Sequence, residues 1–347
     1  MSARFTDRLT VRTGQQPPGP RPARRGRTDL AVAALLVAAA LAGCGAPRAP
    51  EAQTGATAST LAAQAWFGAF TYGGVWQGME PVLRLERELG RRLDVVHWFM
   101  DWDHAYDPGM VEAVLAGGAV PLISWQPMRQ DLHDIVAGRH DAYLRTWAHG
   151  VGRAPGIVYL RPFPEMNGDW VPWSGDPDAL RHAWIHLAEL FAREGADNVR
   201  WVWSPNVTDE PRTEANRLEW YYPGDDHVDV LALSGYNWGE TRPSIGWRSF
   251  GEVFADGYGR VAALGPQPVW LTELASSDAG GDKADWVRDM LASTAFPRIA
   301  ALVWFDEDKE ADWRVTSHPD VLQAFRQGLG VSSLGGAVRG AVRGAVR

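Results

Sequence analysis

Gly156-Ile157-Val158-Tyr159-Leu160-Arg161-Pro162-Phe163-Pro164-Glu165-Met166-Asn167-Gly168-Asp169-Trp170-Val171-Pro172-Trp173 opens as a short apolar run and closes in prolines, a glycine and two indoles. The run Gly156–Arg161 has the length and composition of a strand buried on both faces. Pro162 and Pro164 cannot donate to a sheet ladder, so regular pairing should stop near Arg161. Glu165 then falls in the turn just past the strand's C-terminal end, beside aromatic residues and Met166.

Similar runs lie on both sides of this one. They occur at Trp66–Tyr72, Leu93–Met100, Ala119–Trp125, Val199–Trp203, Val228–Ser234, Gln267–Thr272 and Ile299–Phe305, which with Gly156–Arg161 makes eight. Most of the gaps hold a helical pattern, such as Pro81–Leu89, Ala179–Arg193 and Ala284–Ala292. Strand–helix alternation implies parallel strands joined by right-handed crossovers. Eight such units in about 260 residues match a closed (β/α)8 TIM barrel, a single α/β domain over residues 65–328. The alternative, an open doubly wound sheet, usually shows a Gly-rich first turn, and none follows Trp66–Tyr72 in the needed spacing.

The ends of the chain read differently. Residues 1–43 carry seven Arg against two Asp, about +5, so the remainder holds about −13 of a formal net charge of −8. Leu30–Ala42 is an apolar run too short to span a bilayer comfortably, and it ends Leu41-Ala42-Gly43-Cys44. A basic start, a short apolar middle and small residues before a cysteine describe a signal peptide over 1–43, ending in what resembles a bacterial lipobox. Cys44 is the single cysteine of the 347 residues, so a disulfide framework is excluded and lipidation of Cys44 is the expected role. The protein would then be exported and held on the outer face of the cell membrane, or secreted. Residues 44–64 read as a flexible tether and 329–347, with Gly-Ala-Val-Arg repeated, as a low-complexity tail.

An acidic body argues against nucleic acid and against an anionic polymer held by charge. A neutral partner fits better. The 18 Trp supply rings that stack on sugars, although a large core also consumes indoles. The pattern calls for no cofactor and no metal: there is no phosphate cradle, and the nine histidines show no HExxH-type spacing. The chain reads as a monomer.

In a barrel of this type the site gathers where the strands end. Past the ends of the successive runs lie Asp101, Asp103 and His104; Trp125 and Gln126; Glu165, Asn167 and Trp170; Ser204 and Asn206; Tyr236, Asn237 and Trp238; Glu273; and Asp306 to Asp308. The paired acids at both ends of that series read as helix caps. The ring as a whole suits a neutral oligosaccharide. Two carboxylates at one mouth point to glycoside hydrolysis, which needs one neutral carboxyl and one ionised carboxylate. Glu165, among aromatics, is the expected acid/base and Glu273 the expected nucleophile. Alternation places Arg161 on one face with Phe163 if extension persists, and makes Arg161 and Tyr236 candidates to hydrogen-bond Glu273.

Arg161-Pro162-Phe163-Pro164-Glu165-Met166-Asn167-Gly168-Asp169-Trp170, with Trp173 close behind, resembles the acid/base motif of glycoside hydrolase family 26, which is dominated by endo-β-1,4-mannanases with some β-1,3-1,4-glucanases and β-1,3-xylanases. The resemblance spans about residues 65–328. It implies a (β/α)8 barrel and a retaining mechanism, with the acid/base after strand four and the nucleophile after strand seven, where Glu165 and Glu273 fall. It further implies that Trp170 is a subsite tryptophan, that Tyr236 bonds the nucleophile and that Trp304 is the aromatic platform on strand eight. Family mannanases usually carry His before the acid/base, and this chain has Pro164, which also removes a donor. The expectation is a retaining endo-glycanase, first on β-1,4-mannan, with β-1,3-1,4-glucan or a bacterial exopolysaccharide as alternatives. The rival from another class is a carbohydrate-binding lipoprotein without catalysis.

Overall fold

The computed structural model describes residues 59–330. The signal peptide expected over 1–43, Cys44, the tether up to residue 58 and the tail from residue 331 lie outside the described residues. Eight strands run in order: β1 Trp66–Thr71, β2 Val95–Asp101, β3 Val120–Gln126, β4 Val158–Pro162, β5 Val199–Trp203, β6 Val230–Asn237, β7 Val269–Ser276 and β8 Ile299–Asp306. All pair in parallel with their sequence neighbours, and β8 closes on β1 with Thr71 opposite Asp306, giving a (β/α)8 barrel.

Helices cover the outside: α1 Leu61–Gln64, α2 Glu80–Leu89, α3 Pro108–Ala116, α4 Leu132–Val136, α5 Asp141–Val151, α6 Pro177–Arg193, α7 Phe250–Ala262, α8 Lys283–Ala292 and α9 Pro319–Gly328. Their starts are set locally. Asp107 caps α3 and Asp176 caps α6, each with proline at the first helical turn, where its missing N–H costs nothing. Ser249 and Glu252 form a capping box on α7. The β5–β6 crossover has short 3-10 turns at Glu214–Asn216, Leu218–Tyr221 and Asp225–His227 in place of an α-helix. The tether expected to reach residue 64 ends earlier: Leu61 is buried and its N–H donates to Ser293 O at 2.9 Å.

Inside the barrel the side chains form layers, as the alternation of strands requires. The floor is apolar and holds Val95, Leu122, Tyr159, Val202, Val230, Trp270 and Val303, with Tyr159 and Trp270 rings 4.5 Å apart. A buried polar layer of His97, Ser124, Arg161, Ser204, Ser234, Thr272 and Glu273 lies above it. Phe70, Phe99, Phe305 and Tyr236 ring the mouth, with Phe70 stacked on Phe305 at 4.8 Å. Twelve of the 18 Trp are buried, most of them between strands and helices, so indole count by itself was a signal of core.

Gly68 lets β1 approach β2 closely, because a Cβ there would lie 2.5 Å from both Val95 Cβ and Val95 O. Overpacking of this kind costs about 1–3 kcal/mol. Gly68→Ala is therefore expected to lower unfolding stability by that amount in a urea titration, and an unchanged midpoint would contradict the close approach.

Candidate active site

The placement of Glu273 depends on a break in strand period. Trp270 points into the barrel and Leu271 out of it. Strict alternation from there would turn Glu273 outward. Instead the β6–β7 register runs Leu233 opposite Leu271 and then Ser234 opposite Glu273, leaving Thr272 as an extra residue. The same slip appears against β8, where Leu271 faces Leu302 and Leu274 faces Trp304. This is a β-bulge, and it gives Glu273 the inward phase of Ser234. Thr272 Oγ1 lies 2.7 Å from Ser204 Oγ, which anchors the bulge from β5.

Glu273, 7% exposed, meets the fully buried Arg161. Arg161 Nη1 donates to Glu273 Oε1 and, at 2.9 Å, to Ser124 Oγ, while Nη2 donates to Ser234 Oγ. Ser124 Oγ thus has its own proton free for His97 Nε2, 2.7 Å away. Burial, and then the Arg161 charge, holds His97 well below the ordinary imidazole range, so the ring is a neutral acceptor there. On the other side the Tyr236 hydroxyl donates to Glu273 Oε2 at 2.8 Å. Burial, with the Glu273 and Glu165 charges, keeps that phenol well above its ordinary value, so it stays a donor. Both oxygens of Glu273 face donors.

Glu165 is held differently. Phe163 and Glu165 have φ of 51° and 56°, the two non-glycine positive values among the described residues. Such residues cost about 1–3 kcal/mol each and persist only when the surroundings impose them. Here Glu165 N donates to Ser204 O at 2.8 Å and Trp173 Nε1 to Pro164 O at 2.8 Å. The left-handed turn also ends the extension, so Phe163 leaves the face of Arg161 and packs outward between Trp102 and Trp184. The Glu165 carboxyl accepts from Trp170 Nε1 at 2.7 Å and from Asn206 Nδ2 at 3.0 Å. Burial, and then the Glu273 charge, raise its pKa, and Arg161 and the two hydrogen bonds do not reverse that. One carboxyl retains its proton more strongly than usual, and a second, in the same field, is braced by an arginine and a phenol.

The profile of the family described as Glycosyl hydrolase family 26 matches residues 150–287, a stretch that runs from the end of α5 into α8 and contains Glu165 and Glu273. Endoglucanase H of Acetivibrio thermocellus is 35% identical over 276 residues, covering 75% of this chain and 30% of that protein. Both matches support glycosyl hydrolase family 26. Mannan endo-1,4-beta-mannosidase A and B of Caldalkalibacillus mannanilyticus is 33% identical over 162 residues, 43% of this chain and 28% of that protein. The chain thus spans less than a third of the length of either relative. Among solved structures, a modular endo-β-1,4-mannanase from Cellulomonas fimi superposes with a TM-score of 0.57 at 17% identity, covering 77% of this chain and 70% of that one, which is a likeness of fold.

Within the barrel, Glu165, Glu273, Arg161, Tyr236 and Trp170 come together, and Trp170 remains 49% exposed. Three residues expected to touch substrate do not reach it. Trp125 lies on the helix-facing side of β3 among Trp102, Trp147 and Phe191, its Nε1 on the Tyr143 hydroxyl at 3.2 Å. Trp304 faces α8 and α9, edge-on to Phe325 at 4.8 Å, because alternation along β8 gives the inward position to Phe305. Asn167 is fully buried and spends its amide on the β5 loop, donating to Asn206 O at 3.0 Å and Asp209 Oδ1 at 2.9 Å while accepting from Asn206 N at 2.7 Å.

The acids read as caps also serve otherwise. Asp306 Oδ1 accepts from Val315 N, Asp103 pairs with Arg129, and α3 is capped by Asp107. Among the described residues no three His, Cys, Asp or Glu side chains gather as metal ligands. Sequence reasoning placed Asn206 in the ring without its role on Glu165, and passed over His97, Ser124 and Trp313. The inward phase of β2 and β3, counted forward by two from Val95 and Leu122, is what places His97 and Ser124.

Because folding raises the Glu165 pKa, this group's stabilising contribution is complete below the ordinary carboxylate range and is lost as pH rises through the folded value. Glu165→Gln should therefore melt higher than the parent near neutral pH, with the difference vanishing in acid, and a lower melting temperature at neutral pH would contradict the burial. Removing the neighbouring charge with Glu273→Gln should move the Glu165 midpoint down, tracked by carboxyl 13C NMR; an upward move would contradict the coupling.

Proposed function

We propose that this barrel is an endo-acting, retaining glycoside hydrolase that cleaves the backbone of a neutral β-linked polysaccharide. The observation that carries the reading is the pair of unlike carboxyl environments at one mouth, Glu165 with a raised pKa and Glu273 held by Arg161 and Tyr236. Glu165, still protonated, gives its proton to the leaving oxygen while Glu273 attacks the anomeric carbon. The bond to the leaving sugar breaks as the glycosyl–Glu273 ester forms. Glu165, now ionised, takes a proton from the water that displaces Glu273, and retention results from the two inversions. A non-catalytic binding barrel has no use for a buried carboxylate pair arranged this way.

β-1,4-Mannan is the first reading of the substrate, in line with the mannosidase relative. β-Glucan is the second, and it is favoured by the relative named an endoglucanase and by Pro164, which stands where family mannanases usually carry His. For location, the lipobox-like Leu41-Ala42-Gly43-Cys44 supports export and a lipid anchor at Cys44.

Glu165→Ala is expected to lose roughly 10²–10⁴-fold in turnover on the polysaccharide the parent cleaves, and Glu273→Ala at least as much. Azide added to Glu273→Ala should yield a glycosyl azide of inverted configuration. Near-normal activity in either variant would remove the assignment. A product screen on galactomannan, glucomannan, mixed-linkage glucan and β-1,3-xylan decides between the two substrate readings.

A further inference from the structure

Lys283 opens α8 and is only 2% exposed, an unusual position for a lysine. Its Nζ donates to Asp312 O at 2.8 Å, Arg314 O at 2.9 Å and Ser317 Oγ at 3.1 Å. An ammonium has three protons, so the donor set and the acceptor set match one for one. All three acceptors belong to the strap that joins β8 to α9. The carbonyl between the two held by Lys283, Trp313 O, accepts from Trp304 Nε1 at 2.7 Å. Three successive carbonyls, 312 to 314, are therefore pinned by side chains from outside the strap.

Trp313 is what this pinning fixes. Its buried ring lies 5.3 Å from the Tyr236 ring and 5.0 Å, edge-on, from Trp238. Tyr236 in turn donates to Glu273. Lys283 touches none of the reacting groups, yet the contacts lead from it to them without a gap. We propose that Lys283 is a positioning residue, which clamps the strap, seats Trp313 against Tyr236 and so keeps the phenol on Glu273. The catalytic part of this rests on the reading of Glu273 as nucleophile.

The clamp has a built-in pH limit. Asp278 from the β7 loop, Asp306 at the end of β8, and Asp312 and Arg314 of the strap face the ammonium, and Asp278 is itself paired with His318 at 3.0 Å. Against the acids, burial brings Lys283 down to about 8. A neutral amine keeps two N–H for the carbonyls of Asp312 and Arg314 and can accept from the Ser317 hydroxyl, so above that pH the contacts lose their charge assistance and the strap is held more weakly.

The test measures hydrogen-exchange protection, relative to intrinsic rates, in peptides covering 307–318 and 230–237, together with turnover. Lys283→Met should cut protection in both peptides roughly tenfold. It should also lower kcat between about tenfold and a hundredfold with KM within about twofold. Combined with Tyr236→Phe it should add little further loss. Full additivity of the two substitutions, or loosening confined to 307–318, overturns the proposal. In the parent, protection of 307–318 should fall as pH rises through about 8, where charge-assisted bonds give way to weaker neutral ones, and Ser317→Ala, which removes one contact of three, should lower that protection less than Lys283→Met does. Protection of 307–318 that does not change across that pH range overturns the clamp, and this measurement on the parent carries the test should Lys283→Met not fold. If the parent cleaves no polysaccharide, the function assigned to Glu273 falls, while the exchange results still decide whether Lys283 governs Tyr236.

Discussion

The buried ion pair between Arg161 and Glu273 is the constraint on which the rest of the barrel depends. A guanidinium cut off from water needs its charge met and partners for its N–H groups. Glu273 from β7 meets the charge, and Ser124 from β3 and Ser234 from β6 take further Nη protons while Nε is left without a partner, so one side chain of β4 ties together strands from both halves of the barrel. Breaking such a pair by removing one member costs about 3–5 kcal/mol, because the other charge is left stranded. His97 has to be neutral for the same reason, since a second cation two hydrogen bonds from Arg161 would have no counter-charge. Site and fold are therefore not separable in the middle layer.

The bulge at Thr272 and the turn at Phe163–Glu165 are two answers to one geometric problem. Strict alternation would turn Glu273 outward, and β4 ends at Pro162 before it reaches Glu165, so neither carboxyl is placed by regular strand geometry alone. On β7 an added residue shifts the phase, and on β4 the backbone leaves the sheet through left-handed φ values. Both departures are costly, and both are tied to Ser204, just past β5, whose carbonyl accepts the Glu165 N–H and whose hydroxyl shares a hydrogen bond with that of Thr272.

Much of the fold was legible because buried parallel strands read as short apolar runs whatever lies around them, and all eight runs are strands. The residues at the mouth were harder. Period two separates Trp304 from Phe305 once the inward phase of β8 is known, but that phase depends on the floor residues, which a single sequence does not mark. The bulge left no trace in Trp270-Leu271-Thr272-Glu273, so the position of Glu273 near a strand end was readable and its orientation was not. Asn167 misled for a chemical reason: an amide beside an acid suits a sugar hydroxyl as well as it suits a backbone brace. Trp125 misled because a strand end in a barrel has two sides, and the outer side of this one is lined with indoles.

Leu61 is bonded to Ser293 at the end of α8, and Gln64 Nε2 reaches Phe296 O and Ile299 O where β8 begins. The described chain therefore starts at the pole of the barrel opposite its open end. Residue 59, where the described chain begins, thus lies on a side that carries none of the polar and aromatic groups of the cleft, and the helix Leu61–Gln64 closes the floor beneath them.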